Sequence, residues 1–474
     1  MNWHGHEIAA ALGSQLVAAP ENLAWEASGV SIDSRTLRQN EIFVALKGPN
    51  FNGGDFLPQV ADKLAAAAIA ESAPPEVARK IPVFQVRSGH LGLAALAEYA
   101  RDTGNASRIA VTGSNGKTSM RKLVSLALGG AGSVHASIRS YNNKVGVSLT
   151  LAQMKRGAKF AVLEVGTNHP GEIRELAELV KPRLAVLTSV GSAHIGHFNS
   201  RNDLAAEKAA LIAQLDSEGV AVVHESAREL GAVAAAAENA GVKIHSYGRG
   251  ENTDAKLISV TPETPTESQP LPNSVTVTAD VTGQSVRFQL RTPAPHHAEL
   301  AVGALLVAKL LGADTDTAAQ DLREYQPPDG RGNIIRVRGA WVVDDSYNAN
   351  PESVAAALSL VGGARLAPGA ERVAVLADMG ELGAQSEELH LGLVPHILNA
   401  KITRLFLVGR EIQPVAKSLS RNRDIKVRWA ESLNSLNLSP ADIARDHNLI
   451  LVKGSRAAKL DAFVASLVNT AADT

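Results

Sequence analysis

The clearest chemical pattern in the chain is a glycine-rich run, Thr112-Gly-Ser-Asn-Gly-Lys-Thr118. Small apolar residues precede it and a helix-like pattern follows it, which predicts a strand, a tight turn and a helix. Such a turn directs backbone N–H groups and the positive end of the helix at a phosphate. Lys117 would contact the β- and γ-phosphates, and the Thr118 hydroxyl would face Mg²⁺. The sequence therefore predicts that a nucleoside triphosphate binds at Gly113, Ser114, Asn115, Gly116, Lys117, Thr118 and Ser119.

This run is shorter than the full phosphate-loop pattern, because Val111 stands where the first glycine of G-x-x-x-x-G-K-T belongs. The alternative is an ordinary strand–turn–helix with a lysine on the surface. The strand before the run and the helix after it favour the phosphate loop.

Further along the chain, three residues are candidates for metal binding. Glu164 ends an apolar strand, where a carboxylate beside a phosphate loop can hold Mg²⁺; the alternative is a capping or ion-paired glutamate. His194 follows the next strand and could bind a second metal ion, although a loop histidine is more often a hydrogen-bonded surface residue. Lys208 lies in a helical stretch, where a lysine normally faces solvent, and its pattern alone does not select it.

A second group of polar residues lies in the last third of the chain. The run Asp344-Asp-Ser-Tyr-Asn-Ala-Asn-Pro351 closes an apolar strand. Paired acids, a tyrosine and two asparagines in one loop suit ribose hydroxyls and the face of a base; they are Asp344, Asp345, Tyr347, Asn348 and Asn350. The alternative is a capped turn. Arg331 lies in the turn Pro328-Asp-Gly-Arg-Gly332, at the junction of two predicted domains, and could reach phosphate oxygens when these domains close.

Three α/β domains would position these residues. Residues 1–103 hold short strands and two helical segments, one of them predicted over 57–70. Residues 104–325 alternate strands and helices, which is typical of a parallel sheet of the phosphate-loop ATPase type. Within them, helices are predicted at 171–180, 203–215, 226–240 and 297–311, and an antiparallel excursion at 253–291. Residues 326–474 form a second, Rossmann-like α/β unit.

Composition limits the classes of function. A net charge of −1 argues against a general nucleic-acid or membrane-surface binder. The absence of cysteine excludes disulfides and thiolate chemistry. The N-terminus lacks a signal-peptide pattern, and no apolar run of ~18 residues predicts a membrane span. We therefore expect a cytoplasmic, monomeric protein.

The order of motifs along the chain resembles the Mur ligase family. These motifs are T-G-S-N-G-K-T, E-V-G-x-N-H-P-G-E-I, A-H-I, a helical lysine, D-D-S-Y-N-A-N-P and V-K-G-S-R. The resemblance covers nearly the whole chain. Two runs, Asp345–Pro351 and Asp378–Gly383 with His390 further on, resemble a member that joins D-alanyl-D-alanine to a UDP-linked muramoyl peptide in peptidoglycan precursor synthesis.

The resemblance implies roles for the residues above. ATP would phosphorylate the carboxylate of the UDP-linked peptide, and an incoming amine would displace phosphate to form an amide. Lys117, His194 and Lys208 would be the catalytic residues, with Lys208 carbamylated. Thr118, Glu164, His194 and Lys208 would hold two Mg²⁺ ions, and His297, Arg331, Asp345, Tyr347 and Asn348 would contact ATP. Substrate would be bound by Ser34, Arg35, Lys47, Asn142, Asn143 and Asn350.

The chain departs from the family pattern at several positions. The usual G-x-H-N-x-x-N reads Ala294-Pro-His-His-Ala-Glu-Leu300, so His297 stands where an asparagine is expected. The usual Gly-Glu after the lysine is Ala209-Ala210, and Ser148 replaces an expected proline. The run Asn52-Gly-Gly-Asp-Phe56 lacks the usual histidine. Two alternatives therefore stay open: a paralogue that joins another amine to another carboxylate, and a nucleotide-binding protein without catalytic activity.

Overall fold

The computed structural model describes residues 2–138, 140–266 and 268–472. Strands within these ranges form sheets of five, nine and six strands, together with two small two-stranded ribbons. Each large sheet is mainly parallel and is packed against helices, which confirms the predicted α/β class. The three sheets lie in the ranges 1–103, 104–325 and 326–474, whose boundaries stay a prediction. No helix of the described residues is long and apolar enough to cross a membrane.

The N-terminal sheet has one antiparallel edge strand and four parallel strands, in the order Leu16–Ala18, Val83–Val86, Ala67–Ala70, Glu41–Val44 and Gly29–Ser31. The ribbons pair Trp3–His4 with Glu26–Ala27 and Lys47–Gly48 with Phe51–Asn52. The α-helices of this part are Gly5–Leu12, Leu57–Asp62, Pro75–Ala78 and Gly89–Thr103.

The prediction of a helix over 57–70 was wrong in its second half. The helix ends at Asp62, and Ala67–Ala70 is an inner strand of the sheet. All four of its residues are fully buried. Small apolar side chains fit a strand that is covered on both faces, so packing overrides the helical propensity of alanine here.

The central sheet positions the phosphate loop. Its strand order is Val134–Ala136, Phe160–Glu164, Ser107–Thr112, Leu184–Leu187, Val220–His224, Ile244–Gly248, Ala255–Pro262, Val275–Val281 and Gln284–Leu290. The first seven strands are parallel to one another, and Val275–Val281 is antiparallel to the strands on both of its sides. These antiparallel pairs lie within the predicted range 253–291. The α-helices are Lys117–Ala127, Lys144–Ala152, Glu172–Val180, Arg201–Ala213, Glu225–Arg228, Gly231–Ala240, His296–Leu310 and Thr315–Asp321.

Ser107–Thr112 lies between the strands that end at Glu164 and Leu187. The strand order therefore reverses at this strand, and the connections on its two sides run in opposite directions. Ligands of open α/β sheets bind in the crevice at such a switch point. Both faces of the sheet are covered by apolar clusters, one around the helices Lys117–Ala127 and His296–Leu310 and one around Glu172–Val180 and Arg201–Ala213. These clusters fix where each loop leaves the sheet.

The C-terminal sheet begins with an antiparallel pair and continues as a parallel sheet. Its order is Asn333–Val337, Ala340–Asp345, Leu449–Lys453, Arg372–Ala377, Arg404–Val408 and Lys426–Ala430. The α-helices are Pro351–Gly362, Ser386–Leu391, Val394–Asn399, Gln413–Leu419, Leu433–Leu436, Pro440–Ile443 and Leu460–Ala472.

Candidate active site

A cavity of about 660 Å³ lies between the phosphate loop and the C-terminal sheet. Predicted site residues from both parts of the chain line it: Ser114, Asn115, Gly116, Lys117, Ser119, Asn142, Glu164, His194, His297, Arg331, Asp345, Tyr347, Asn348 and Asn350. The structure thus brings together most of the residues that were selected from separate motifs. Those that do not line the cavity are Ser34, Arg35, Lys47, Gly113, Thr118, Asn143 and Lys208.

The turn after Thr112 needs glycine at two positions. Gly113 has a φ of 147° and Gly116 has a φ of 79°, both in the region that favours glycine. A Cβ on Gly113 would lie 2.0 Å from the Thr188 hydroxyl oxygen, so a side chain cannot be accommodated there. These glycines let the backbone pass from the strand directly into the helix Lys117–Ala127.

Fewer loop N–H groups face the cavity than the sequence suggested. The Ser114 N–H donates to the Ser189 carbonyl, and the Asn115 N–H donates to the Ser189 hydroxyl, both at 2.9 Å. These bonds hold the loop against the neighbouring strand end. The N–H groups of the first helical turn, which have no intrahelical acceptor, are the ones that can meet an anion.

Lys117 folds back over its own loop, where its Nζ donates to the Gly113 carbonyl at 2.7 Å. The pKa of Lys117 is lowered to about 8, chiefly by burial, with the Glu164 carboxylate opposing this change and the Arg331 guanidinium adding to it. A half-buried lysine beside another cation gains from an anionic ligand. The electrostatics of the loop therefore favour a phosphate.

Thr118, Glu164 and Asn142 are joined by hydrogen bonds between their side chains. The Thr118 hydroxyl donates to Glu164 Oε2 at 2.8 Å, and the Asn142 amide donates to Glu164 Oε1 at 2.8 Å. Glu164 is fully buried. A carboxylate and a hydroxyl are ligands that Mg²⁺ accepts together with water and phosphate oxygens, so these residues fit one ion.

His194 and Glu381 meet across the cavity from different sheets. His194 Nδ1 is in direct contact with Glu381 Oε2. Burial, and then the charge of Lys117, lowers the pKa of His194. Among the described residues, no three His, Asp or Glu side chains form a cluster that could hold a metal ion, so the second predicted ion has no complete protein cage.

Lys208 is almost fully buried, with 1% of its surface exposed. Burial lowers the pKa of its amine to about 7, with Lys117 acting in the same direction and Glu207 opposing it. Within the described residues its Nζ has no hydrogen bond or ion pair. The structure thus places a buried amine, partly neutral near pH 7, close enough to Lys117 for the two charges to interact.

Arg331 reaches the central sheet from the C-terminal part of the chain. Its guanidinium lies over the Tyr347 ring at 4.3 Å and donates to the Ser140 hydroxyl at 3.2 Å. Asp345 ends a strand in register with Lys453, and their side chains form an ion pair at 2.6 Å. Arg331, Tyr347 and Asp345 are therefore held on one wall of the cavity.

Direct contacts join the two walls. The Asn350 amide donates to Asn115 Oδ1 at 2.6 Å, while Asn350 Oδ1 caps the helix Pro351–Gly362. Glu352 accepts bonds from the Ser192 N–H and hydroxyl, both at 2.9 Å. The phosphate-loop wall and the C-terminal wall of the cavity are therefore in contact.

His297 begins the helix His296–Leu310 and is 3% exposed. Its Nδ1 is 2.8 Å from the Thr292 hydroxyl, and burial holds its pKa well below the usual value for histidine. The neighbouring Leu300 packs against Gly116. A neutral imidazole and an apolar side chain thus occupy the positions where the family pattern has asparagine.

The predicted substrate residues fall into two groups. Asn142 lines the cavity, whereas the Asn143 side chain accepts from the Gly146 N–H and caps the helix Lys144–Ala152. Ser34, Arg35 and Lys47 lie in the N-terminal part, where Arg35 is paired with Asp33. This pairing lowers the pKa of Asp33 to about 2.

Sequence reasoning missed two acidic residues of the site. Glu381 lies within the run Asp378–Gly383 but was not assigned a role, and it contacts His194. Glu352 looks like an ordinary first-turn acid after Asn350 and Pro351, yet it contacts Ser192 across the cavity. Neither contact has a local signal, because each joins residues more than 150 positions apart.

Comparisons with known proteins show which family this chain is similar to. The Mur ligase middle domain model matches residues 111–308, and the Mur ligase glutamate ligase domain model matches 330–456. A UDP-N-acetylmuramoyl-tripeptide–D-alanyl-D-alanine ligase of Rickettsia prowazekii is 29% identical over 98% of this chain and 99% of its own. The enzyme of the same name from Escherichia coli is 29% identical over 92% of this chain and 93% of its own.

A solved structure extends this similarity to the fold. The crystal structure of MurF from Acinetobacter baumannii has a TM-score of 0.81 and 25% identity to this chain, and 99% of each chain is covered. The two domain models together match more than half of the chain, in the ranges that build the cavity. The chain belongs to the Mur ligase family.

Proposed function

We propose that this protein is an ATP-dependent ligase that joins D-alanyl-D-alanine to UDP-N-acetylmuramoyl-tripeptide, a step of peptidoglycan precursor synthesis. The enzymes from Rickettsia prowazekii and Escherichia coli carry that name and align with this chain over almost their whole length. The observation that carries the proposal is the concentration of cations at the phosphate loop, where Lys117 and Lys208 have lowered pKa values. Such a site is completed by anionic ligands.

The reaction would have two steps. A carboxylate oxygen of the UDP-linked peptide attacks the γ-phosphorus of ATP, which forms an acyl phosphate and releases ADP. The amine of D-alanyl-D-alanine then attacks the acyl carbon, so that an amide forms and phosphate and a proton leave. Lys117, placed over the phosphate loop by its bond to Gly113, would stabilise the negative charge on the transferring phosphoryl group.

Thr118 and Glu164 would hold one Mg²⁺, and His194 would contribute to a second. Bound magnesium would neutralise phosphate charge and polarise the P–O bonds. This chain's own residues keep the ligands in place: Asn142 donates to the Glu164 carboxylate, and Glu381 holds the His194 ring.

We also propose that Lys208 is carbamylated. Its partly neutral amine can attack carbon dioxide, forming an N–C bond and releasing a proton, and the product is a carboxylate-like metal ligand. The change replaces a buried cation by an anion in a site rich in cations. An inactive Lys208→Ala variant should regain turnover with a short carboxylic acid; failure of every such acid and of bicarbonate would reject carbamylation.

The division into three domains would distribute the substrates. Residues 1–103 would bind the UDP group through Ser34, Arg35 and Lys47. Arg35 is 84% exposed at its side chain and Lys47 is exposed, so both can reach a diphosphate. Residues 104–325 would bind ATP, and 326–474 would complete the site on closure with Arg331 and Asp345.

The test is phosphate release with every combination of the three substrates. We expect release only when ATP, the UDP-tripeptide and D-alanyl-D-alanine are all present, with the amide product identified by mass. Lys117→Ala should lose turnover, because it removes the cation at the phosphate loop. The matched control is Lys122→Ala, since Lys122 lies on the same helix but outside the cavity. Release that depends on neither substrate, or full activity of Lys117→Ala, would contradict the proposal.

A further inference from the structure

One wall of the cavity is a loop whose position depends on a residue outside it. Gly166, Thr167 and Asn168 line the cavity directly after the strand that ends at Glu164. We call residues 166–171 the substrate loop. A Cβ on Gly166 would lie 2.7 Å from the Asn142 amide carbon, so the loop passes close to a second cavity residue. A small shift of this loop would therefore change the shape of the cavity.

The helix that follows the substrate loop begins without a capping side chain of its own. Its N-cap residue is Gly171, with a φ of 93°. The first N–H groups of a helix have no intrahelical acceptor and need one from elsewhere. The helix Glu172–Val180 must therefore obtain its cap from another part of the chain.

Glu207 supplies that cap from a different helix. Its Oε1 accepts from the Ile173 N–H at 2.8 Å and from the Thr167 hydroxyl at 3.2 Å, and its Oε2 accepts from the Gly171 N–H at 2.7 Å. The residue is 9% exposed, and a carboxylate at a helix N-terminus is electrostatically favourable. Both oxygens of one buried carboxylate thus hold both ends of the substrate loop.

The same helix, Arg201–Ala213, carries Glu207 and Lys208 at adjacent positions. Glu207 faces the substrate loop, while Lys208 lies close enough to the phosphate loop for the charge of Lys117 to lower its pKa. One rigid element therefore connects the two loops that border the cavity.

We propose that Glu207 is a positioning residue of the ligase reaction, which sets the substrate loop for binding of the UDP-linked acid. The proposal rests on the proposed function, because it assumes that this acid is bound in the cavity. The phosphate loop is held by its own bonds to Ser189, so its position should not depend on Glu207.

The test is steady-state kinetics of Glu207→Gln once the wild-type reaction has been measured. The amide NH₂ cannot accept from the Gly171 N–H, so at least one charge-assisted bond is lost. We expect the KM for the UDP-linked acid to rise about tenfold or more. The KM for ATP should change much less because, within the described residues, Glu207 reaches the ATP side of the cavity only through its charge on Lys208. An inactive wild-type protein would contradict the proposed function. If the wild-type protein is active and Glu207→Gln has the same KM for the UDP-linked acid, only the role of Glu207 is contradicted.

Asp314→Ala is the matched control. Asp314 caps the helix Thr315–Asp321 through bonds from the Thr317 N–H and hydroxyl, at 2.8 and 2.7 Å, and does not line the cavity. Both variants should lower the melting temperature, but only Glu207→Gln should change the KM. If Glu207→Gln and Asp314→Ala lose equal stability and neither changes the KM for the UDP-linked acid, Glu207 is only a structural cap and the proposal is overturned.

Thr167→Val provides a second route if Glu207→Gln fails to fold. It removes the donor to Glu207, together with the bond of the same hydroxyl to the His169 carbonyl at 2.8 Å, and keeps the side-chain shape. We expect the KM for the acid to rise. An unchanged KM for the acid in Thr167→Val would overturn the proposal.

Discussion

Replacing Lys208 by methionine should stabilise the fold while it abolishes activity. In the fold, burial lowers the pKa of this amine from 10.5 to about 7. A difference of that size corresponds to about 5 kcal/mol of unfavourable free energy for the buried cation. Methionine has a similar length and carries no charge, so the variant avoids this cost.

The lowered pKa of Lys208 also predicts how the difference in stability between the variant and wild type changes with pH. The folded pKa of Lys208 is below the unfolded value, so between about pH 7 and pH 10 the unfolded state binds a proton that the folded state lacks. Wild-type stability should therefore rise with pH in this window, relative to Lys208→Met, by about 1.4 kcal/mol per pH unit. The advantage of the variant should fall from about 5 kcal/mol near pH 6 to about 2 kcal/mol near pH 9.

Hydrogen exchange of the central strands, in bicarbonate-free buffer, is the suitable assay. Tryptophan fluorescence does not report on this region, because the four tryptophans, Trp3, Trp25, Trp341 and Trp429, lie outside residues 104–325. Opening free energies of the strands Ser107–Thr112 and Phe160–Glu164 should be higher in Lys208→Met. A variant that is less stable than wild type at every pH, or whose advantage does not change with pH, would refute the reasoning.

Two further predictions concern contacts within and around the closed cavity. A Cβ at Gly196 would lie 2.5 Å from the Gly383 nitrogen. We therefore expect Gly196→Ala to hold the two walls apart, to lower kcat about tenfold or more and to raise the KM for ATP, because Arg331 and Asp345 lie on the displaced wall. Gly231→Ala, with nothing within 4 Å, is the control, and an unchanged kcat of Gly196→Ala would contradict this account of closure. His390 accepts from the Met379 N–H at 2.9 Å, and burial lowers the pKa of its imidazole. Below about pH 6.5 the unfolded imidazole gains a proton that the folded one resists, so the free energy of unfolding should fall with falling pH. Tryptophan fluorescence would monitor this unfolding. His390→Phe should flatten that pH profile, and an unaltered profile would show that another group is responsible.

The parts of the site that the sequence predicted are those encoded locally. The strand, turn and helix around Gly113, Gly116 and Lys117 are specified by neighbouring residues, because glycine is needed where φ is positive. Glu164 was identified because a strand end in a parallel sheet places its last side chain at the ligand edge. Arg331 and Asp345 were likewise selected from loops beside strands.

The parts that could not be predicted depend on packing between distant elements. Lys208 lies in a helical stretch where a lysine would normally face solvent, and only the folded arrangement shows that its amine is buried close to Lys117. The contact of Glu381 with His194 requires the two sheets to be placed together. Ala67–Ala70 was assigned to a helix because alanine favours helices, whereas the sheet buries all four residues.

The central claim is that the peptide carboxylate is activated as an acyl phosphate, and the fate of a carboxylate oxygen tests it most directly. The UDP-linked tripeptide would be prepared with a heavy oxygen isotope in the carboxylate that reacts, and the phosphate formed with ATP and D-alanyl-D-alanine would be analysed by mass. An acyl phosphate transfers one of those oxygens to phosphate when the amine displaces it, so we predict one labelled oxygen in each phosphate released during amide formation. Unlabelled phosphate, with amide formed in equal amount, would contradict the account.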